Sequence, residues 1–459
     1  MSAILGPTFE EMLHPHKIEP DIRARAREAR LRDPLDPINL FNITWRDPHG
    51  QPRYYEIPRQ LTGVDARIVV LYGKDFPTGA HKVGAAYSVL VEKELFGEVD
   101  PARHTLVWPS TGNYGIGGAW VGCRMGFDSL VVLPAGMSAE RFERIESYGA
   151  RVIKTVGSES NVKEIYDKTH ELARDPKVRI LNQFSEMGNY RFHYHVTGNT
   201  IAELALELQG SLNVRGVSAF CSAMGSAGTI AAGDRLKQLW PECKVVGLEP
   251  VQCPTLYNNG YGAHDIQGIG DKHVTWIHHV TNMDAIMCID DIECKKGLQL
   301  LTEENGMEAL SARFGVPRAD VEMMSQIFGI SGVCNVLGAI KSAKHYRMDS
   351  RDLVVTILTD AIDRYHSVMA ELTHRYGTMD QAEATARAGI FLNQKTDWIK
   401  EGTVDNRRQW HNLKYYTWCE QQGKSVEELD AQLSEQWWRA HQARVSEIDA
   451  KIEEARRSR

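Results

Sequence analysis

The sequence has no run approaching the eighteen or so uninterrupted apolar residues that a membrane-spanning helix requires. Its first fifteen positions carry Glu10 and Glu11 where a secretory leader would have an apolar core. The expectation is therefore a cytoplasmic protein that does not enter a membrane. There is no excess of positive charge either. The formal net charge is −7, which leaves no electrostatic footprint for nucleic acid, whose binding depends on Lys and Arg neutralising phosphates. The eight cysteines, at 123, 221, 243, 253, 288, 294, 334 and 419, form no CxxC pair. That excludes a zinc ribbon and gives no disulfide scaffold, so each reads as a small buried hydrophobe in a reducing compartment and no metal site is expected. Internal repeats and low-complexity segments are also missing.

What is present is 459 residues, 42% hydrophobic and 25% charged, the profile of a globular enzyme or carrier of two or three domains. From about residue 66 short β-branched runs alternate with turns and helical stretches, as in parallel strands joined by crossover helices. Strands are expected at Ala66–Tyr72, His104–Trp108, Leu130–Leu133, Arg151–Thr155, Val217–Ser222, Lys244–Leu248 and Leu353–Leu358, with a helix over Ala85–Leu95. Ser138 is placed to cap a helix carrying Phe142 and Ile145 and ending at Gly149, which completes one β-α-β unit. After about Gly377 strands are expected to stop. The remainder is polar, helical and aromatic-rich, with five of the ten tryptophans (398, 410, 418, 437, 438). Ser425 and Glu428 form a capping box ahead of Leu429, Leu433, Trp437, Ile448 and Ile452, which predicts an amphipathic helix of about eight turns. Tryptophans this dense are expected to dock the tail on the main body or at a subunit interface.

Four loops at strand ends carry the chemistry. FPTGAHKV (Phe76–Val83) places Lys82 between a strand and an apolar helix, where burial would turn an ordinary surface cation into a nucleophilic amine. PSTGNYGIGG (Pro109–Gly118) combines Gly112 and Gly115 with the hydroxyls of Ser110 and Thr111 at a helix start; it reads equally as a Gly-rich turn or as a carboxylate cradle. SAMGSAGT (Ser222–Thr229) lacks the lysine of a Walker loop and the spacing of a dinucleotide fingerprint, and suits a mononucleotide-like phosphate held on exposed amides. The strand Leu353–Leu358 ends in Thr359, Asp360 and Ala361, polar groups facing the crevice where α/β sheets bind ligands. An amine, a carboxylate site, a phosphate site and a polar partner are together what pyridoxal phosphate and an amino acid need.

From about residue 55 to 370 the chain resembles the fold-type II pyridoxal phosphate enzymes, and among them the cysteine synthase and cystathionine β-synthase group. Besides PTGAHK and STGNYG, the resemblance rests on LPAGMSAERFERIESYGARVI (133–153), LNQF (181–184), NYRFHYHVTGNTI (189–201), LEP (248–250), HDIQGIG (264–270) and GISGVCN (329–335), in that order. It implies an α/β fold with two parallel-sheet domains of the tryptophan synthase β-like architecture, here with a helical C-terminal extension. The large cofactor domain would comprise 1–98 and 196–376, the small substrate-loop domain 99–195 and the extension 377–459.

The resemblance also implies roles. Lys82 would form the internal aldimine and move the Cα proton. Asn113 would bond the cofactor's O3′. Ser110, Thr111, Gly112, Tyr114 and Gln183 would bind the substrate carboxylate, and Gly225, Ser226, Ala227, Gly228 and Thr229 the phosphate. Gly268 to Gly270 would lie near the amino group. The implied chemistry is β-elimination or β-replacement on a small L-amino acid with a Cβ leaving group, through an aminoacrylate, in a homodimer or larger assembly.

The chain departs from the group in five places. His81 replaces a phenylalanine or valine and makes TGAHK more like tryptophan synthase β chains. Met224 and Ala227 stand where glycines or a small β-branched residue are usual. About twenty extra residues, Glu308–Gln326, precede GISGVCN, and the tail has no counterpart. Where the family has a serine or threonine facing the pyridine nitrogen, LTDAIDRY offers Thr359, Asp360 or Ala361; matching its Asp363-Arg364-Tyr365 end to the family's Glu-Arg-Tyr favours Asp360. Other readings on the same fold are a dehydratase, a tryptophan or threonine synthase-like enzyme, and a non-catalytic cofactor-binding subunit. A phosphorylated donor would call for an arginine cluster, which the sequence does not display, and retention of Lys82 speaks against a non-catalytic subunit.

Overall fold

The computed structural model describes residues 6–110, 112–157 and 161–458. Its strands are β1 (Tyr54–Glu56), β2 (Arg67–Tyr72), β3 (Thr105–Pro109), β4 (Asp128–Pro134), β5 (Arg151–Thr155), β6 (Val178–Ile180), β7 (Val217–Ala223), β8 (Lys244–Pro250), β9 (Ala285–Ile289), β10 (Leu353–Leu358) and β11 (Ile399–Glu401). They form two sheets, one of seven strands in the order β1-β2-β10-β7-β8-β9-β11 and one of four in the order β5-β4-β3-β6. All four strands of the smaller sheet are parallel. In the larger one only the edges, β1 on β2 and β11 on β9, are antiparallel. The inner strands are apolar on both faces, as Ile68-Val69-Val70-Leu71 and Leu353–Leu358 illustrate, because helices cover both sides of the sheet. The α/β class follows directly from this pattern.

The seven expected strands are present, displaced by at most two residues at an end. Four further strands were not expected. Three of them, β1, β6 and β11, are only three residues long and partly exposed, too short to show a period. The fourth, β9 (AIMCI), is a fully buried apolar run, which sequence alone does not separate from a helix segment.

The helix after β2 starts at Lys82, three residues earlier than expected. Ser138 occupies the N-cap of Ala139–Ser147 without capping it: its buried hydroxyl has no partner among the described residues. The extra residues 308–326 fall mostly in two helices, Glu304–Phe314 and Arg318–Ile327, which bury Leu310, Val321, Met324 and Ile327 against the larger sheet's core.

The tail departs from expectation twice. A strand does occur there, β11, and the long helix is broken. The Ser425/Glu428 capping box forms but starts only Val426–Ala431, and Ser434 then caps Glu435–Arg457, 23 residues. The tail docks on its own chain. Trp410, Trp418 and Trp438 are fully buried and donate their indole N–H to the carbonyls of Leu256 (2.9 Å), Val274 (2.8 Å) and Gln432 (2.8 Å). Lys414, also fully buried, donates to Trp276 O, His278 O and Gln432 Oε1 at 3.1, 2.6 and 2.6 Å. Asp449 of the long helix accepts from the amides of Phe9 and Glu10, tying the helix Phe9–Leu13 to the last helix.

Candidate active site

Parallel strands deliver their C-terminal loops to one side of a sheet, and here the loops after β2, β3, β7 and β10 converge. Lys82 opens the helix Lys82–Leu95 and is 9% exposed. Its Nζ donates to Ser226 Oγ at 3.2 Å, so the expected amine and the expected phosphate loop are in direct contact. Ser226 Oγ also accepts from Asn189 Nδ2 at 3.0 Å, and Asn189 in turn donates to the Gln183 carbonyl at 2.9 Å.

Behind Lys82 lies His81, packed between the rings of Trp45 and His193 at 5.3 and 5.0 Å. Complete burial, reinforced by the Lys82 charge, holds its imidazole well below the usual histidine range. A neutral ring therefore backs the lysine, and its Nε2 lies 3.2 Å from Thr359 Oγ1.

The loop after β10 separates the three candidates for the ring nitrogen. Thr359 turns to His81. Ala361 is buried and offers no polar side chain. Asp360, fully buried, accepts at Oδ2 from Asn113 Nδ2 (2.6 Å) and from the Tyr365 hydroxyl (2.8 Å). Its Oδ1 has no partner among the described residues, and neither has Asn113 Oδ1. Room for the carboxylate comes from Gly329 of GISGVCN, where a Cβ would lie 2.1 Å from Asp360 Oδ1.

Of the expected carboxylate cradle, Thr111 lies outside the described residues. Ser110 spends its hydroxyl locally, accepting from the amides of Gly112 and Gly115 at 2.9 Å each. Tyr114 points its ring into the core against Trp108 and its hydroxyl toward Leu181 O at 3.3 Å, leaving only its main chain to face the loop. Gln183 is buried, with Nε2 3.5 Å from Pro109 O. Gly112 serves as N-cap of Asn113–Arg124 with the guanidinium of Arg141 directly over it; a Cβ there would sit 2.9 Å from Arg141 Cζ.

Residues 225–230 form turns, so the helix expected to begin near Gly225 starts at Ala231. Gly225 approaches the Gly268 carbonyl so closely that a Cβ would lie 2.8 Å from it, and Gly268 itself has φ +105°. Ala227 has φ 59°. That left-handed conformation costs a side-chain-bearing residue about 1–2 kcal/mol. Gly228 leaves its Cα side to Asn189, whose Oδ1 is a further buried acceptor without a partner among the described residues.

Reasoning from sequence missed Tyr365, Arg141 and Asn189 as members of the site, although all three stand inside quoted motifs. Arg141 Nη2 donates to the Tyr365 hydroxyl at 3.3 Å, which donates to Asp360. Two more stitches join the same helix to the β10 loop: Arg144 to Asp363 at 3.0 Å, and Glu140, which accepts from Ser367 N and Oγ at 2.9 and 2.8 Å. Arginines do gather here, with Arg144 and Arg364 both beside Gly79, contrary to the linear reading. Arg144 donates to Asp363 and Arg364 Nη2 to Thr78 O, which braces the loops, while Arg364 Nε and Nη1 are buried without a partner among the described residues.

The chemistry of this set fits pyridoxal phosphate. A buried amine touches a loop of small residues with a helix beyond it, and three buried acceptor atoms, on Asn113, Asp360 and Asn189, await donors. A buried acceptor left unpaired costs about 1–3 kcal/mol, which a ligand donor would recover.

Comparison with known proteins agrees. Residues 53–317 match the family described as "Pyridoxal-phosphate dependent enzyme". A probable cysteine synthase of Bacillus subtilis (strain 168) is 30% identical over 293 residues, 63% of this chain and 85% of the relative. Among solved structures, O-acetyl serine sulfhydrylase isoform 3 from Entamoeba histolytica aligns with TM-score 0.60 and 25% identity, over 75% of this chain and 93% of that one. A hydrogen sulfide-producing enzyme from Fusobacterium nucleatum aligns with TM-score 0.56 and 25% identity, over 68% and 95%.

Proposed function

Because this chain belongs to the pyridoxal-phosphate dependent enzymes, we propose that the converged loops carry out β-elimination or β-replacement on a small L-amino acid bearing a Cβ leaving group, in the manner of cysteine synthases and cysteine or serine lyases. The observation that carries this reading is the pairing of the Lys82–Ser226 contact with the Asn113–Asp360 contact, because the first joins the expected amine to the expected phosphate loop and the second joins the expected O3′ partner to the expected ring-nitrogen partner. The cofactor, bound through Lys82, supplies the electron sink that acidifies the Cα–H bond and lets the Cβ substituent depart.

The chain's own residues do the rest. Lys82 Nζ would take the Cα proton, and the neutral His81 behind it withdraws no proton from that amine. Ser226 and the Gly225–Thr229 amides would hold the phosphate, and Asn113 would orient the ring edge. Asp360, held by Tyr365, would keep a proton on the ring nitrogen, which a hydroxyl in its place would not do. Ser110 shapes the loop while main-chain amides from Gly112 to Tyr114, with Gln183, meet the substrate carboxylate at the start of the Asn113–Arg124 helix. Burial of Asp360, Asn113 and Lys82 keeps water away from the reacting atoms.

The same reading divides the chain into a cofactor domain (1–98 and 196–376), a substrate-loop domain (99–195) and an extension (377–459). The smaller sheet, drawn only from residues 105–180, supports the division. It also makes the protein a cytoplasmic homodimer or larger; no described helix is long and apolar enough to cross a membrane.

Purified holoenzyme mixed with O-acetylserine, serine, cysteine or threonine should release pyruvate, or form a new thioether or cysteine when a thiol or sulfide is supplied. Borohydride reduction should place the pyridoxyl group on the peptide containing Lys82. Labelling of another lysine, or no turnover of any β-substituted amino acid, would sink the assignment.

A further inference from the structure

A cavity of about 510 Å³ opens where the tail crosses the far end of the Lys82–Leu95 helix. Its floor is Arg191, 2% exposed. Two nitrogens of that guanidinium are spent on the carboxylate of Glu92, Nε at 2.8 Å and Nη2 on the other oxygen. The third, Nη1, is buried and has no partner among the described residues. Beside it Lys93 bridges Glu98 and Glu186 at 2.9 and 3.1 Å. Burial raises the Glu186 carboxyl above the usual range despite that lysine.

The tail closes the other wall with Trp437, His441 and Arg444, and Trp276 completes the apolar lining. The His441 ring lies 4.1 Å from that of Trp437, and its buried Nδ1 also lacks a partner among the described residues. Burial pushes this histidine down to about 4, with the charges of Arg191 and Arg444 adding to the effect.

A buried guanidinium N–H with nothing to bond to is a carboxylate donor in waiting. Glu98 and Glu186, which share Lys93 and line the same cavity, present carboxyl oxygens to an ammonium, and indole faces suit an apolar side chain. We propose that this cavity is a regulatory site for a free L-amino acid with an apolar side chain, its carboxylate on Arg191 and its ammonium toward Glu186.

The site is wired to the lysine by two routes. Glu92 and Lys93 sit on the helix that Lys82 begins. Arg191 ends the short helix Met187–Arg191, whose Asn189 donates to the same Ser226 hydroxyl that accepts from Lys82. Binding is independent of the proposed reaction; only its effect on turnover rests on that reading.

The test is titration of the borohydride-reduced holoenzyme, in which the cofactor can no longer condense with an amino acid, using L-methionine and L-phenylalanine as probes. Tryptophan fluorescence should change saturably, and phenethylamine, which lacks the carboxylate, should fail to compete. Trp437→Leu and His441→Ala should each weaken binding by about tenfold or more, roughly 1.4 kcal/mol, while leaving unliganded kcat unchanged. Arg191→Gln should abolish binding; should that variant not fold, the two tail variants still decide. Absence of saturable binding to the reduced enzyme, equal binding of phenethylamine, or binding that survives both tail variants would each overturn the proposal.

Discussion

The strand-end loops and the docked tail bury polar groups in comparable numbers but treat them differently. In the tail the three fully buried indoles and Lys414 all find acceptors, and the buried atoms left without a partner among the described residues are nitrogens, His411 Nε2, His441 Nδ1 and Arg456 Nε. At the strand ends Asn113, Asp360 and Asn189 each keep one buried oxygen without a partner among the described residues. A satisfied buried polar group holds position, whereas a buried acceptor left over can take a ligand's donor. The two regions differ in kind: the unpartnered atoms of Asn113, Asp360 and Asn189 are acceptor oxygens, and those of the tail are ring and guanidinium nitrogens.

Substitutions should respect that division. Lys82→Ala should lower kcat by at least about 10³-fold, since in the proposed reaction the residue is both the cofactor's attachment and the proton carrier; thermal unfolding should shift little, and borohydride should no longer label its peptide. A variant that kept turnover would remove the site from this pocket.

Trp438→Ala should do the reverse. Losing a fully buried indole costs about 3–5 kcal/mol, read as a lower denaturation midpoint, while the bound cofactor's absorption in the folded fraction stays as in the parent. A spectral change equal to that of a site variant would erase the contrast between the two regions.

Asp360→Ser, which installs the hydroxyl usual in the resembling enzymes, should reduce kcat by about 10- to 100-fold, or 1.4–2.7 kcal/mol. It should also alter the pH dependence of the cofactor's absorption. An unchanged pH profile would mean that the carboxylate does not govern the ring nitrogen.

The smallest effect concerns the tail's clasp on the N-terminus. Burial raises the Asp449 carboxyl to about 6, against an unfolded value of about 3.9. A raised carboxyl contributes stability that is fully present below about pH 4 and is lost as pH rises through about 6. Between pH 5 and 7 the parent should therefore lose about 1 kcal/mol relative to Asp449→Asn, measured from urea midpoints. A steeper decline in the variant would reverse the sign and refute the argument.

Much of the fold was legible. The strands of both sheets that are at least five residues long, β9 apart, announce themselves as β-branched runs, and the glycines at 112, 225 and 228 mark where backbone must pass close to something. The three-residue edge strands were illegible because pairing to a neighbour, rather than local pattern, makes them strands. The tail's capping box was legible and correctly placed, yet the helix it starts stops at Ala431. A new cap at Ser434 then lets Gln432 turn back to meet Lys414 and Trp438.

Sequence by itself determined the α/β class and the four loops, because each of these depends on residues adjacent in the chain: a buried strand, a turn that needs small residues, a helix start. Tertiary structure decided which polar groups meet. Asn113 and Asp360 are separated by 247 positions, and Arg141 and Tyr365 by 224. Whether such pairs touch is set by how the two sheets and their crossover helices pack, and no local period or motif records that geometry. The same packing turned Thr359 to His81, set Asp360 against Asn113 and Tyr365, and carried the tail over the end of the Lys82 helix to enclose Arg191.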